Sequence, residues 1–417
     1  PEINSERDSF ETVLDFIVSE CENAAELLKS LRGEDATRYG MFGGNFGRAN
    51  EGTALALKAK VLLMAASPLF NRPADFPQYD SADPNVSLWR YPDYDPERWN
   101  TAAKALKDVI DLGFYDLYRA KNGTKTEYET LFCVRAPIEE AIFPYLRGPS
   151  IDIYFNNLPF DFMLVRGKGT PVCYTLPTHD LVMAYEMKNG MLPEQEGSGY
   201  RPLNPFADRD PRLKQTILTW DFPTRVTVAT NDSTYIEKEE DFISQYCLTG
   251  YKSIKYFIPT DKAFEANNNT YDGIAYRYAE TLLINAEAKA ELGTITQADL
   301  NKTINVLRDR AGMPHLTLEV GFTDPNWPAW GYSLTPLLQE IRRERRIELA
   351  GEGFRWDDLA RWKAGAICNN VKTYIGKREP YKEGQYAIVY PAYTNDNYSY
   401  EAGKSRTWND RLYLRPI

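Results

Sequence analysis

The segment 340–362, EIRRERRIELAGEGFRWDDLARW, holds the greatest density of side chains able to do chemistry, with arginines and carboxylates alternating at helical spacing. Such a run fits a solvated face, an anion site, or a partly buried ion-pair network. Leu337, Leu338, Ile341 and Leu349 share the helix and favour the third reading. Glu344, Arg345, Glu348, Arg355, Asp358 and Arg361 would then tie neighbouring helices together. Removing one member of a partly buried network strands its partners, so the expected role is structural.

Signs of catalysis are sparse. Carboxylates also cluster at Glu139-Glu140 and Glu239-Glu240-Asp241, but nothing in the sequence sets a pair across a scissile bond. The only histidines are His179 and His315, which disfavours a histidine-based triad or a His-rich metal site. No phosphate-loop, dinucleotide, nucleophile-elbow or HExxH motif occurs. The five cysteines lie far apart in the chain and read as small buried hydrophobes. Loop 75–95 supplies Asp75, Asp80, Asp83, Asp93 and Asp95, a structural-calcium candidate whose spacing matches no EF-hand. No other cofactor is implied.

The elements that must position these groups are mostly helices. Periodic apolar residues predict a helix over 6–32, with Ser5 and Asp8 as a capping box and Gly33 as the stop. Segment 53–67 is apolar all round, as a helix packed between others would be, and Pro68 ends it. Further helices are expected from Asp95-Pro96 to Gly113, from Asp272 to Leu292, from Thr296 to Gly312, and from Thr335-Pro336 to Ala350. Short turns between long helices predict antiparallel pairs of the helix–turn–helix repeat type. The middle, 114–271, is irregular, with short strands expected at 141–146 and 215–220. Loops 71–99, 321–332 and 380–400 are rich in aromatic residues. The net charge of −10 argues against nucleic acid or anionic lipid as partner. No stretch approaches the roughly 18 apolar residues of a membrane span.

Several long segments carry a resemblance. GTALALKAKVLLMAASPLFN (52–71), DPRL (210–213), RYAETLLINAEAKAELG (277–293), LRDRAGMP (307–314), ERRIELAGEGFRWDDLARW (344–362) and the closing RLYLRPI (411–417) together resemble the SusD/RagB family. Its members are outer-membrane lipoproteins of Bacteroidetes that pair with SusC-like TonB-dependent transporters. The resemblance implies a mainly α fold in which TPR-like helix pairs form an α-α superhelix beside an irregular, loop-rich ligand-binding region. Residues 1–113 would be the N-terminal helical part. Residues 114–417 would be the C-terminal region, with the irregular insert 114–271 and helices over 272–364, all in one compact unit. It further implies that a signal peptide, a lipid-anchored cysteine and the first helices precede residue 1, and that the chain continues past Ile417.

By the same resemblance the function is capture of an oligosaccharide or glycan at the cell surface and delivery to the transporter, without catalysis. The chemistry of sugar capture stands independently of the family. A pyranose packs its C–H patch on an aromatic face while its hydroxyls bond to planar polar groups, and Tyr, Trp, Asn, Asp and Arg supply both. The first candidate cluster is Tyr154, Phe155, Asn156 and Asn157, with Arg166 nearby in sequence; the second is Trp89 and Tyr91; the third is Trp327 and Trp330, which flank Pro328. With 28 tyrosines and eight tryptophans in the chain, any single aromatic is more often a packing residue than a ligand contact. Peptide or glycoprotein capture, a glycoside hydrolase and a pure interaction scaffold remain the alternatives.

Overall fold

The computed structural model describes residues 6–29, 47–73, 84–119, 127–132, 139–146, 177–201, 204–218, 226–227, 234–235, 251–256, 272–324, 334–365 and 367. Three helices open this part of the chain: α1 (Phe10–Lys29), α2 (Glu51–Ala66) and α3 (Glu97–Asp111). The cap of α1 differs from expectation. The helix begins after Ser9, whose Oγ accepts from the Thr12 backbone N–H at 3.1 Å, whereas Ser5 lies outside the described residues. At α2 the Asn50 side chain accepts from Thr53 N at 2.9 Å and Thr53 Oγ1 accepts from Asn50 N at 3.3 Å, a reciprocal cap. Asp95 Oδ1 accepts from Glu97 N at 2.9 Å, so the Asp-Pro pair does open α3.

The middle alternates short helices and strand pairs: α4 (Glu127–Leu131), β1 (Ala141–Tyr145), α5 (His179–Ala184), α6 (Pro211–Thr216), β2 (Ile217–Leu218), β3 (Val226–Thr227), β4 (Thr234–Tyr235) and β5 (Lys252–Ser253). Of the expected strand over 215–220, residues 215–216 end α6, 217–218 form β2, which pairs antiparallel with β5, and 219–220 lie outside the described residues. A larger correction concerns Asp272. It starts no helix; Gly273–Arg277 form β6, antiparallel to β1, and α7 (Tyr278–Glu291) begins only after it. Pairing with β1 satisfies the backbone of 273–277 in a way a periodicity argument does not foresee.

Four more helices complete the described chain: α8 (Gln297–Lys302), α9 (Ile304–Ala311), α10 (Pro336–Glu348) and α11 (Arg355–Arg361). Thr296 and Asp299 form the foreseen capping box, but the helix breaks at Thr303 (φ −123°, ψ −85°) and restarts as α9. Gly312, at φ +69°, closes α9 in the left-handed conformation that glycine adopts without a Cβ penalty.

Helix α7 lies at the centre, and every residue from Ala279 to Ala288 is buried. One side, through Ile284 and Ala288, packs with Ala59 and Leu63 of α2 and Trp99 and Leu106 of α3. The other, through Leu283 and Ala286, meets Leu300, Ile304, Leu307 and Ile341. Apolar packing thus runs continuously across position 113. Burying a leucine or tryptophan contributes roughly 1.5–3 kcal/mol, so these two clusters hold α2, α3 and α7 to α10 as one body.

Candidate functional site

Helix α10 is capped by Thr335, whose Oγ1 accepts from Leu338 N at 3.2 Å, with Pro336 in the first turn. Its core stripe (Leu338, Ile341) places Arg343 and Arg346, three residues apart, on a common face. Helix α5, capped by the Thr178 side chain, brings Asp180 opposite. Between them lies an open pocket of ≈ 550 Å³, counting the solvent at its mouth. Its polar lining comprises Asp180, Glu194, Asp324, Arg343, Arg346 and Arg355; Met183, Leu192, Pro193 and Ile367 supply apolar wall. Arg343 is held by Asp324 at 2.6 Å and by Glu340 at 3.0 Å. Arg346 donates to Asp180 Oδ2 at 2.5 Å. Burial alone would raise the Asp180 carboxyl, but the facing Arg346 outweighs it and holds Asp180 below the ordinary carboxylate range. The lining combines guanidinium–carboxylate pairs with an apolar wall, a surface able to form hydrogen bonds.

Beneath the pocket sits an extensive buried ionic core. Of the six network residues expected in 340–362, Glu344, Arg345, Glu348, Asp358 and Arg361 are all buried, and they fall into two groups. Glu344 receives Arg212 and, at 3.1 Å, Arg308. Glu348 receives Arg212 at 3.1 Å, Arg277 at 2.8 Å and Arg310 at 2.5 Å. Burial opposes the Glu348 charge, yet these three guanidiniums hold its carboxyl well below the usual range. In the second group Arg345 grips Asp358 through Nε at 2.8 Å, and Asp358 also accepts from Arg361 at 2.9 Å. Arg355 is half-buried, lines the pocket, and lies 6.0 Å from the Trp362 ring. Arg212, Arg277, Arg308, Arg310, Glu140, Glu287 and Glu352 also belong to the core. The sequence marked Glu140 only as one of a carboxylate pair and singled out none of the others, although Arg212 and Glu287 stand in the DPRL and RYAETLLINAEAKAELG segments.

The candidate ligand residues are placed unevenly. Tyr154, Phe155, Asn156, Asn157, Arg166, Trp327 and Trp330 lie outside the described residues. Tyr91 is buried, edge-on to Phe10 at 5.2 Å, with the Arg98 guanidinium 3.5 Å from its ring centre. It packs with Leu14 and Ala65, so its ring is a packing group of the α1–α2 layer. Trp89 is half-buried beneath Arg90. Of the calcium candidates, Asp75, Asp80 and Asp83 are outside the described residues. The Asp93 carbonyl accepts from Arg98 and Asp95 caps α3. Among the described residues no three His, Cys, Asp or Glu side chains converge as a metal site would require.

With this geometry in place, comparison is decisive at the level of family. The SusD family model matches residues 147–417, more than half of the chain. The chain belongs to the SusD family. Solved structures agree on the fold. A SusD-like protein from Bacteroides fragilis superposes with a TM-score of 0.63 at 22% identity, covering 99% of this chain and 70% of its own. A SusD-like carbohydrate binding protein, also from Bacteroides fragilis, gives 0.58 at 24%, covering 91% of this chain and 66% of its own. This SusD-family chain thus spans roughly two thirds of those two relatives. The search of curated proteins finds no match. Among the described residues no helix of this family member is long and apolar enough to cross a membrane.

Proposed function

We propose that this chain is the ligand-capturing part of a surface-exposed outer-membrane lipoprotein that takes up oligosaccharides or glycans and hands them to a SusC-like TonB-dependent transporter, without cleaving them. The observation that carries this reading is the family match over 147–417. SusD-family proteins are binding proteins of the cell surface, and one similarly folded relative is described as carbohydrate binding. The aromatic and carboxamide side chains of Tyr154, Phe155, Asn156 and Asn157, with Arg166, are the proposed stacking and hydrogen-bonding contacts; Trp89, Trp327 and Trp330 are further ones. A ligand held by a few stacking and hydrogen-bond contacts dissociates quickly, as transfer to a transporter requires.

Affinity electrophoresis against a broad polysaccharide panel tests the capture step, with retardation by one or a few glycans as the expected result. Silence across the panel, together with a melting-temperature rise on adding peptides, would transfer the reading to peptide or glycoprotein capture. Release of reducing sugar from a retained glycan would make the protein a hydrolase. Co-purification with a SusC-like transporter from detergent-solubilised membranes tests the partner.

A further inference from the structure

We propose that the pocket between α5 and α10 is a subsite for a neutral hexose unit, gripped through its hydroxyls and selective against acidic sugars; this rests on the glycan-capture reading above. Arg343 is buried and commits Nε to Glu340 and Nη2 to Glu340 and Asp324. Its Nη1 makes no hydrogen bond among the described residues, and Arg343 lines the pocket. Arg346 engages Asp180 through Nη2 alone, leaving Nε and Nη1 as donors and Asp180 Oδ1 as an acceptor among the described residues.

Donors and an acceptor therefore meet in one place. A hydroxyl can answer both, since it donates one bond and accepts others. Two neighbouring ring hydroxyls would bridge the Arg346 guanidinium and the Asp180 carboxylate. A ligand carboxylate answers only the donors, and it faces Asp180, Glu194 and Asp324 across the same cavity. Three carboxylates against three guanidiniums leave the lining without net positive charge, so nothing compensates that repulsion. Arg343 and Arg346 are already fixed by carboxylates, which reduces the ordering cost of binding. Met183, Leu192 and Pro193 offer the C–H face of a ring an apolar wall.

Saturation-transfer NMR and calorimetry on the full chain provide the test, with neutral gluco-, galacto- and manno-oligosaccharides as probes and oligogalacturonate as the acidic counterpart. At least one neutral probe should bind, and oligogalacturonate at least about tenfold more weakly, as the loss of a charged hydrogen bond implies. Arg346→Met keeps the apolar stem but removes the donors, and should weaken the neutral probe by about tenfold or more. Asp180→Asn keeps the shape and should narrow the preference for neutral over acidic sugar, a change that a merely structural role would not produce. Circular dichroism confirms that each variant is folded. Oligogalacturonate binding as tightly as the neutral probe overturns the proposal. So does unchanged neutral binding in both folded variants, although glycan capture itself then stands. A wild-type chain silent to every glycan overturns both.

Discussion

Arg361 and Glu287, 74 positions apart in the chain, meet through two parallel hydrogen bonds of 2.7 Å each, and both side chains are almost wholly buried. The indole N–H of Trp362 adds a third donor to the same carboxylate at 2.6 Å. Arg361 also reaches Ser67 Oγ at 3.2 Å, at the end of α2. One guanidinium therefore joins α2, α7 and α11.

Arg361→Ala should destabilise the protein by about 3–5 kcal/mol, because Glu287 would be left charged and buried. Urea unfolding followed by tryptophan fluorescence measures the loss, and a change below about 1 kcal/mol would show the pair to be dispensable.

Glu287 also sets an acid limit. Burial opposes its charge, but Arg361 and Arg342 prevail and bring its carboxyl down to about 2, from an ordinary 4.5. A carboxyl lowered in the folded state contributes stability that is fully present above the unfolded value and is lost as pH falls through the folded one. Stability should accordingly drop between about pH 4.5 and 2. Glu287→Gln, weaker at neutral pH, should show a shallower decline over that interval in unfolding midpoints.

Gly52, in the first turn of α2, faces Tyr115 so closely that a Cβ there would stand 2.1 Å from its hydroxyl oxygen and 2.6 Å from Cε2. Gly52→Ala should push the ring aside and disturb the 3.0 Å bond from Tyr115 to Asn50, the cap of α2. A cost of about 1–3 kcal/mol is expected from overpacking. In a double-mutant cycle with Tyr115→Ala the two costs should be less than additive. Additive melting shifts would argue against the contact.

Tyr91→Ala should cost stability, about 3–5 kcal/mol for a buried aromatic, and leave glycan affinity unchanged at a temperature where the variant is folded. A selective loss of binding with an unaltered melting temperature would make Tyr91 a ligand contact instead.

Local rules carried much of this protein in its sequence. Caps at Thr296, Thr335 and Asp95, the proline after α2 and the glycine after α9 are written in short-range patterns, because the groups that satisfy a helix end sit within a few residues of it. The alternation of charge in 340–362 likewise announced buried ion pairs. Their partners were not legible: Glu344 and Glu348 are answered by Arg212, Arg277, Arg308 and Arg310, from three other stretches of chain. Asp272 looked like a helix cap until pairing with β1 claimed the residues after it. The pocket depends on Asp180 meeting Arg346 across 166 positions, and the burial of Tyr91 on Phe10 arriving from α1. Periodicity reports which face of an element is apolar, but which element covers that face, and which charges meet there, is decided only when the chain closes on itself.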